Sequence, residues 1–261
     1  MAFAVISDIH ANLEALEAVL ADIKGNNISE VYNLGDTVGY GPDPKACIER
    51  VRSFPSVKGN HDVMSIEGFK EDMMPNWVAK ESLIWTGQQL SQEEKDYLSS
   101  LPYTLKVGDG FVLAHANLID PPGFKYLTTN EAGFSKTPAY ETMNMLELSG
   151  DHVAFVGHTH EPRYYEKSIH GQVQFRVFNV HEKNQFCLRP KIFPQIIVNV
   201  GSVGQPRDRN PDACWVEANE ALITLHRTPY DFKKTQEKIR SRCDLSPGAA
   251  DALTNRLELG K

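Results

Sequence analysis

The chain has 261 residues, of which 41% are hydrophobic and 23% charged, with a formal net charge of −7 at pH 7. That length is enough for one large domain with a proper core or for two small ones. The acidic balance excludes a broad nucleic-acid footprint, which needs a basic face to neutralise phosphates, although bound metal ions can make a local site positive within an acidic chain.

The first element is the run Ala2 to Ile6, short, apolar and with β-branched residues, which ends in polar residues as a buried strand does. The apolar positions Leu13, Leu16, Val19, Leu20 and Ile23 follow at helical spacing, with Asn12 as the cap and Gly25 as the stop. VYNLGD reads as a second buried strand, DPKACIERVRS as a helix with Pro44 in its first turn, and SVKGNHD as a third strand end. This alternation predicts a layered α/β protein with crossover helices. NWVAKESLIWTGQQL and SQEEKDYLSSL carry helical periodicity, and Ser91 to Glu94 resembles a capping box.

YTLKVGDGFVLAH then predicts a hairpin across Gly-Asp-Gly. Ala116 to Pro138 reads as a long loop, a feature that is uncommon unless functional. Five strands are expected between 152 and 227, in HVAFVG, RYYEKS, QVQFRVF, QIIVNVG and ALITLHR. Two C-terminal helices follow, one from about Asp231 and one capped by Ser246-Pro247. With no repeat or low-complexity tract, one domain over 1–261 is expected, the C-terminal helices (about 230–261) packing on it.

Cys47, Cys187, Cys214 and Cys243 have neither metal-ribbon nor redox spacing, so free thiols in a reducing compartment are expected. MAFAVISDIH reaches Asp8 with no basic stretch before its apolar run, and no segment approaches the ~20 apolar residues of a membrane helix. A cytoplasmic protein with no membrane partner is the expectation.

The residues that carry chemistry sit just past apolar runs: Asp8 and His10, Asp36, Asn60 and His61, His115, and His158 and His160. Open α/β sheets bind ligands at the carboxyl ends of strands, so these positions can converge. Two carboxylates, a carboxamide and five imidazoles suit divalent Mn, Fe, Zn, Ni or Co. Their number exceeds the four ligands of a closed zinc site, which suggests two metals about 3.5–4 Å apart. Asp36, alone at its strand end, is the natural bridge. Two dications set against Asp8, Asp36 and a bridging hydroxide leave a net positive site that attracts phosphate.

DIH, GD, GNHD, a lone strand-end histidine and GHTH, in this order between positions 8 and 160, resemble the pattern of the calcineurin-like metallophosphoesterases. NVGSVGQPRDRNPDACW resembles a loop of a bacterial phosphodiesterase-like branch of that family. The resemblance implies a four-layer α/β/β/α sandwich. It assigns one metal to Asp8, His10, Asp36 and His160, and a second to Asp36, Asn60, His115 and His158, with Mn the expected ion. His61 would help bind phosphate and protonate the leaving oxygen. The implied reaction is in-line attack by a metal-bridging hydroxide on a small phosphodiester or phosphomonoester, nucleotides among them.

The chain departs from the family's protein phosphatases at GDTVGYG. Gly39 stands where an aspartate would orient the catalytic histidine, and Tyr40 where an arginine would grip phosphate. This disfavours a serine/threonine protein phosphatase, and a non-catalytic scaffold is disfavoured because no motif is degraded. Arg207, in a glycine-rich loop, is a candidate to replace the missing grip alongside Tyr40, with Arg209 a weaker one. Asp62 is a weak candidate to orient His61, since adjacent residues often point apart. His152, His170, His181 and His226 have no motif context, and Phe124 and Tyr126 are expected to be lid or packing residues. Trp77 and Trp85 are expected in the core or an interface.

Overall fold

The computed structural model describes residues 1–261 except 70–75, 128–136, 168–172, 179–183, 189–193 and 243. Strand β1 (Phe3–Ile6) is fully buried and two-faced. Because successive side chains point to opposite faces, Phe3 and Val5 enter one apolar cluster, and Ala4 and Ile6 enter another. The second cluster is covered by helix α1 (Leu13–Gly25), which presents Ala15, Leu16, Val19 and Ile23. Asn12 caps that helix by accepting from Ala15 N–H at 3.2 Å.

The remaining elements are β2 (Val31–Asn33), α2 (Pro44–Val51), α3 (Asn60–Glu67), α4 (Trp77–Gln89), α5 (Gln92–Ser100), β3 (Thr104–Val107) and β4 (Phe111–Ala114). They continue with α6 (Pro138–Ser149), β5 (Val153–Val156), β6 (Arg163–Lys167), β7 (Val173–Val177), β8 (Gln185–Cys187) and β9 (Gln195–Asn199). The chain closes with β10 (Ala213–Ala218), β11 (Leu222–Thr228), α7 (Phe232–Arg240) and α8 (Pro247–Leu259).

Among the described residues the strands form two mixed sheets, in the orders β2-β1-β10-β11-β8 and β3-β4-β5-β9-β6-β7. The first has β1 parallel to β2 (Ala4 opposite Val31) but antiparallel to β10 (Phe3 opposite Ala218). The second has β5 parallel to both β4 and β9. The sheets meet through Phe3, Val5, Phe111, Leu113, Phe155, Val198 and Val216. On the far side, Ala154, Val156 and Ile197 pack on Ala139, Met143 and Leu146 of α6. The layers thus run helix, sheet, sheet, helix, the expected four-layer sandwich. No helix among the described residues is long and apolar enough to cross a membrane.

Several expectations need correction. SVKGNHD contributes only an isolated bridge from Ser56 to Asn33, and Asn60 and His61 open α3 with Gly59 as its cap. By backbone hydrogen bonds the chain here meets β2 only at Asn33, through Asn33 N–H to Pro55 O and Val57 N–H to Asn33 O, before Gly59 caps the helix that follows. Helix α6 begins at Pro138, where only the end of a loop was expected, and β8 and β10 were not anticipated. Their short, mixed patterns acquire strand character only from partners brought in by the fold. The first sheet is mixed because β10 returns antiparallel beside β1, and the second because β3 and β6 pair antiparallel with β4 and β9, respectively.

Trp77 is 55% exposed and lies outside the core, whereas Trp85 is half-buried under the Arg242 guanidinium at 3.4 Å. His152 faces the Pro194 carbonyl and His226 pairs with Glu217, while His170, His181, Cys243 and Asn130 to Ser135 lie outside the described residues. Cys47, Cys187 and Cys214 are free thiols.

Phe155 sits fully buried between the sheets, with ring centroids 5.9 Å from Phe3 and 6.0 Å from Phe111. Phe155→Ala is expected to lower unfolding stability by about 3–5 kcal/mol through lost burial and a cavity, read as a shift in urea midpoint.

Candidate metal centre

β1, β2, β4 and β5 all end at one place, and the chain turns sharply there. Asp8, His10, Asp36, His158 and His160 adopt left-handed backbone with φ of 53°, 49°, 51°, 68° and 60°. For non-glycine residues this costs of order 1–3 kcal/mol each, and such strain gathers at functional sites. Backbone bonds hold the turns: Asp8 N–H donates to Gly35 O at 3.0 Å, His10 N–H to Asp36 O at 2.9 Å, and Gly157 N–H to His115 O at 2.8 Å.

The structure brings together all eight residues singled out by the sequence. Three groups of side chains have candidate donor atoms within 4.8 Å of one another: Asp8, His10 and His160; His10, Asp36 and His61; and Asp36, His115 and His158. Asn60 joins them, its Oδ1 lying 3.1 Å from His115 Nε2. The histidines are aimed by carbonyls. Nδ1 of His10 faces Val38 O at 3.2 Å, that of His115 Leu34 O at 2.8 Å, and that of His160 Gln205 O at 2.6 Å. A carbonyl accepts only, so each Nδ1 carries a proton and each Nε2 is the ring atom turned inward.

The inward atoms then oppose one another. His10 Nε2 and His160 Nε2 are 3.0 Å apart, and His160 Nε2 is 3.2 Å from Asp8 Oδ1. His115 Nε2 is 3.4 Å from Asp36 Oδ2. Asp8 Oδ1 and His158 Nε2 are buried with no hydrogen-bond partner. Acceptors facing acceptors in a dry site are relieved by a cation or by protons. The residues therefore fit divalent metal ions.

The ionisation pattern follows. Burial opposes ionisation of Asp8 and Asp36, but His160 beside the first and His115 beside the second outweigh it and hold both carboxyls well below the usual range. Burial, reinforced by neighbouring imidazoles, keeps His10 neutral and takes His61 down to about 4 and His158 down to about 3; His160 is lowered by burial and by Arg207. Burial alone would lower His115 as well, but Asp36 and then Asp8 raise it to about 9. In the cation-free protein one proton on His115 thus offsets the clustered carboxylates.

Two glycines shape the site. A Cβ on Gly157 would lie 2.0 Å from Ser7 Oγ and 2.4 Å from Asp8 Oδ2, so only glycine lets β5 pass the end of β1. Gly39, at φ 88°, has the His61 ring where a side chain would be, 2.4 Å from Nδ1. His61 Nδ1 consequently has no partner. Asp62 does not orient it. Its carboxylate instead accepts N–H bonds from Asp36 (2.8 Å), Gly59 (3.0 Å) and Val38 (3.2 Å), tying the Asp36 loop to α3.

Tyr40 is buried beside His61 and His10, with ring centroids 4.5 and 4.7 Å away. Arg207 stands at the rim, where its Nη2 donates to Gln205 Oε1 at 2.9 Å and to Tyr40 Oη at 3.5 Å. Arg209 is exposed, its N–H donating to Gly260 O away from the cluster. Phe124 packs edge-on against His115, and Tyr126, 51% exposed, stacks on His158 at 4.2 Å. Thr159 accepts from Asn199 and serves its own loop. Sequence reading missed Ser7, which donates to Asp8 Oδ2 at 2.7 Å, and Gln205, whose carbonyl aims His160. Neither carries a sequence signal, since one is a lone serine and the other acts through its backbone.

A strand-end cluster of buried imidazoles and carboxylates is the donor set of a divalent-metal hydrolase. The family model of the calcineurin-like phosphoesterase superfamily domain matches residues 1–221, and the chain belongs to that superfamily. An uncharacterized protein of Methanocaldococcus jannaschii is 35% identical over 243 residues, covering 90% of each chain. Serine/threonine-protein phosphatase 2 of Escherichia coli is 27% identical over 143 residues, 51% of this chain and 64% of that one. The solved metallophosphoesterase of Sphaerobacter thermophilus superposes with a TM-score of 0.77 at 32% identity, covering 100% of both chains.

The lowered imidazoles set the pH response of the metal-free protein. His10, His61, His158 and His160 stay neutral when folded but take up protons near pH 6.5 when unfolded, so their stabilisation is lost as pH falls below that value. Asp62, pushed up to about 7 by burial and Asp36, works the opposite way between 3.8 and 7, but it is one group against four. Urea midpoints in chelator are expected to fall steadily from pH 6.5 to pH 4.5; a flat profile would refute the neutral cluster.

Proposed function

We propose that the protein is a binuclear metal-dependent phosphoesterase that hydrolyses small phosphodiesters or phosphomonoesters, nucleotides among them. The carrying observation is Asp36: its Oδ2 lies 3.7 Å from His10 Nε2 and 3.4 Å from His115 Nε2, between two donor groups. In this reading Asp8, His10, Asp36 and His160 hold one cation and Asp36, Asn60, His115 and His158 the other, with Mn as the expected ion. When bound, the cations acidify a water to make the nucleophile and offset charge on the transferring phosphoryl group.

The chain's own residues supply the rest. His61, with a free Nδ1 beside the cluster, takes up a proton when an anionic phosphate lies against it and delivers it to the leaving oxygen. Arg207 and the Tyr40 hydroxyl bind phosphoryl oxygens at the rim. Asp62 keeps the Asp36 loop in register with α3. The whole of 1–261 acts as one catalytic domain in the cytoplasm. A serine/threonine protein phosphatase is the weaker reading, because Gly39 leaves His61 without an orienting carboxylate and allows no side chain in its place.

Purified protein loaded with Mn²⁺ is expected to cleave aryl mono- or diesters, lose activity to chelator and regain it with metal. No turnover of any ester in the loaded state would refute the reading. His61→Ala is expected to keep near wild-type metal content while losing about 10²–10⁴-fold in rate on esters with poor leaving groups, and much less on activated aryl esters. Loss of both metals in this variant would show that His61 is a ligand.

A further inference from the structure

Helix α8 lies beyond every sequence motif, yet it packs against the site. Leu253 and Leu257 share an apolar cluster with Tyr40, together with Val78 and Ala79 of α4. The same helix carries Arg256, whose guanidinium carbon lies 5.5 Å from the centre of the Tyr40 ring. The Arg207 guanidinium carbon lies 5.9 Å from that ring.

Two features make this pair unusual. Both arginines are half-buried, and among the described residues neither has a carboxylate partner. Several other shielded cations have a carboxylate beside them: Arg227 has Asp208, Arg163 has Glu161 and Lys167 has Glu147. In addition, Arg256 Nη1 is buried with no hydrogen-bond partner at all. Arg256 thus brings an unsatisfied N–H to the same Tyr40 ring that Arg207 flanks, and an anion bound there would satisfy it. The Tyr40 ring that both flank sits 4.5 Å from His61 and 4.7 Å from His10.

We infer that Arg207, Arg256 and the Tyr40 hydroxyl form an anion site that selects a terminal phosphomonoester dianion over a diester monoanion. The inference rests on the phosphoesterase reading and narrows its substrate class. A terminal phosphate has one more free oxygen and one more negative charge than a diester. Guanidinium groups address such oxygens in pairs. Arg256 thereby assigns the C-terminal helix a part in specificity: it returns, from the far end of the chain, the cation that position 40 lacks.

The test uses full-length Mn²⁺-loaded protein and the variants Arg256→Ala, Arg256→Lys and Arg207→Ala, each checked for metal content and melting temperature. Inorganic phosphate binding is measured by calorimetry, and kcat/KM on an aryl phosphomonoester and its bis-aryl diester. Arg256→Ala is expected to weaken phosphate binding and monoester kcat/KM by about 10- to 100-fold, the range for a charge-assisted hydrogen bond, with the diester changed less than about 3-fold on the same scale. Arg256→Lys keeps the charge and the helix but loses the fork, and should fall between. Unchanged phosphate affinity in folded, metal-replete Arg256→Ala, or equal losses on both esters, would overturn the inference. Failure of the unmutated protein to cleave either ester would overturn the enzymatic reading instead, and the phosphate-binding comparison would still decide the anion site.

Discussion

The site depends on the way Asp8 joins the two sheets. Asp8 stands at the end of β1 in one sheet, yet its Oδ2 accepts the N–H of His158 at 2.9 Å from the end of β5 in the other. Ser7 adds a second bond to the same oxygen at 2.7 Å, and the Asp8 carbonyl takes Ser202 Oγ at 2.8 Å and Gly204 N–H at 2.9 Å. With those atoms committed, Oδ1 is the only oxygen of the carboxylate left, and it points into the cluster. The close approach that makes this possible is available only because residue 157 has no side chain.

From that clasp the electrostatics follow. Strand ends in left-handed turns swing Asp8, His10, Asp36, His158 and His160 inward, where ordinary extended exits would carry them past the site. Carbonyls of Leu34, Val38 and Gln205 then fix which imidazole nitrogen faces the centre. The result is a dry pocket lined by acceptors, held open by backbone bonds and strained in a way that a cation relieves.

The surroundings of His61 and Tyr40 are set by contacts that reach well beyond the strand ends. Removal of a side chain at position 39 leaves His61 unpartnered, and Asp62, its neighbour in sequence, is committed to three backbone N–H groups instead. Tyr40 fills the space beside both His10 and His61 with an aromatic ring and carries arginines from two distant segments. Charge at this rim is therefore supplied by tertiary contacts and not by the strand-end loop itself.

Much of the site was legible in the linear chain. Apolar runs ending in Asp, His or Gly mark strand ends whatever their partners, because the period of a strand and the chemistry of a turn are local properties. The caps at Asn12, Ser91 and Ser246 and the Gly-Asp-Gly hairpin were readable for the same reason. What the sequence determined by itself was thus the inventory of donors, their order and the alternation that carries them to one edge. Only the tertiary structure decided that Asn60 and His61 start a helix, that β10 returns antiparallel beside β1, that Asp62 serves the backbone, and that Arg256 of the last helix reaches Tyr40. Those outcomes depend on which segments become neighbours across the chain, and no local pattern encodes a contact whose partner lies 216 positions away, from residue 40 to residue 256.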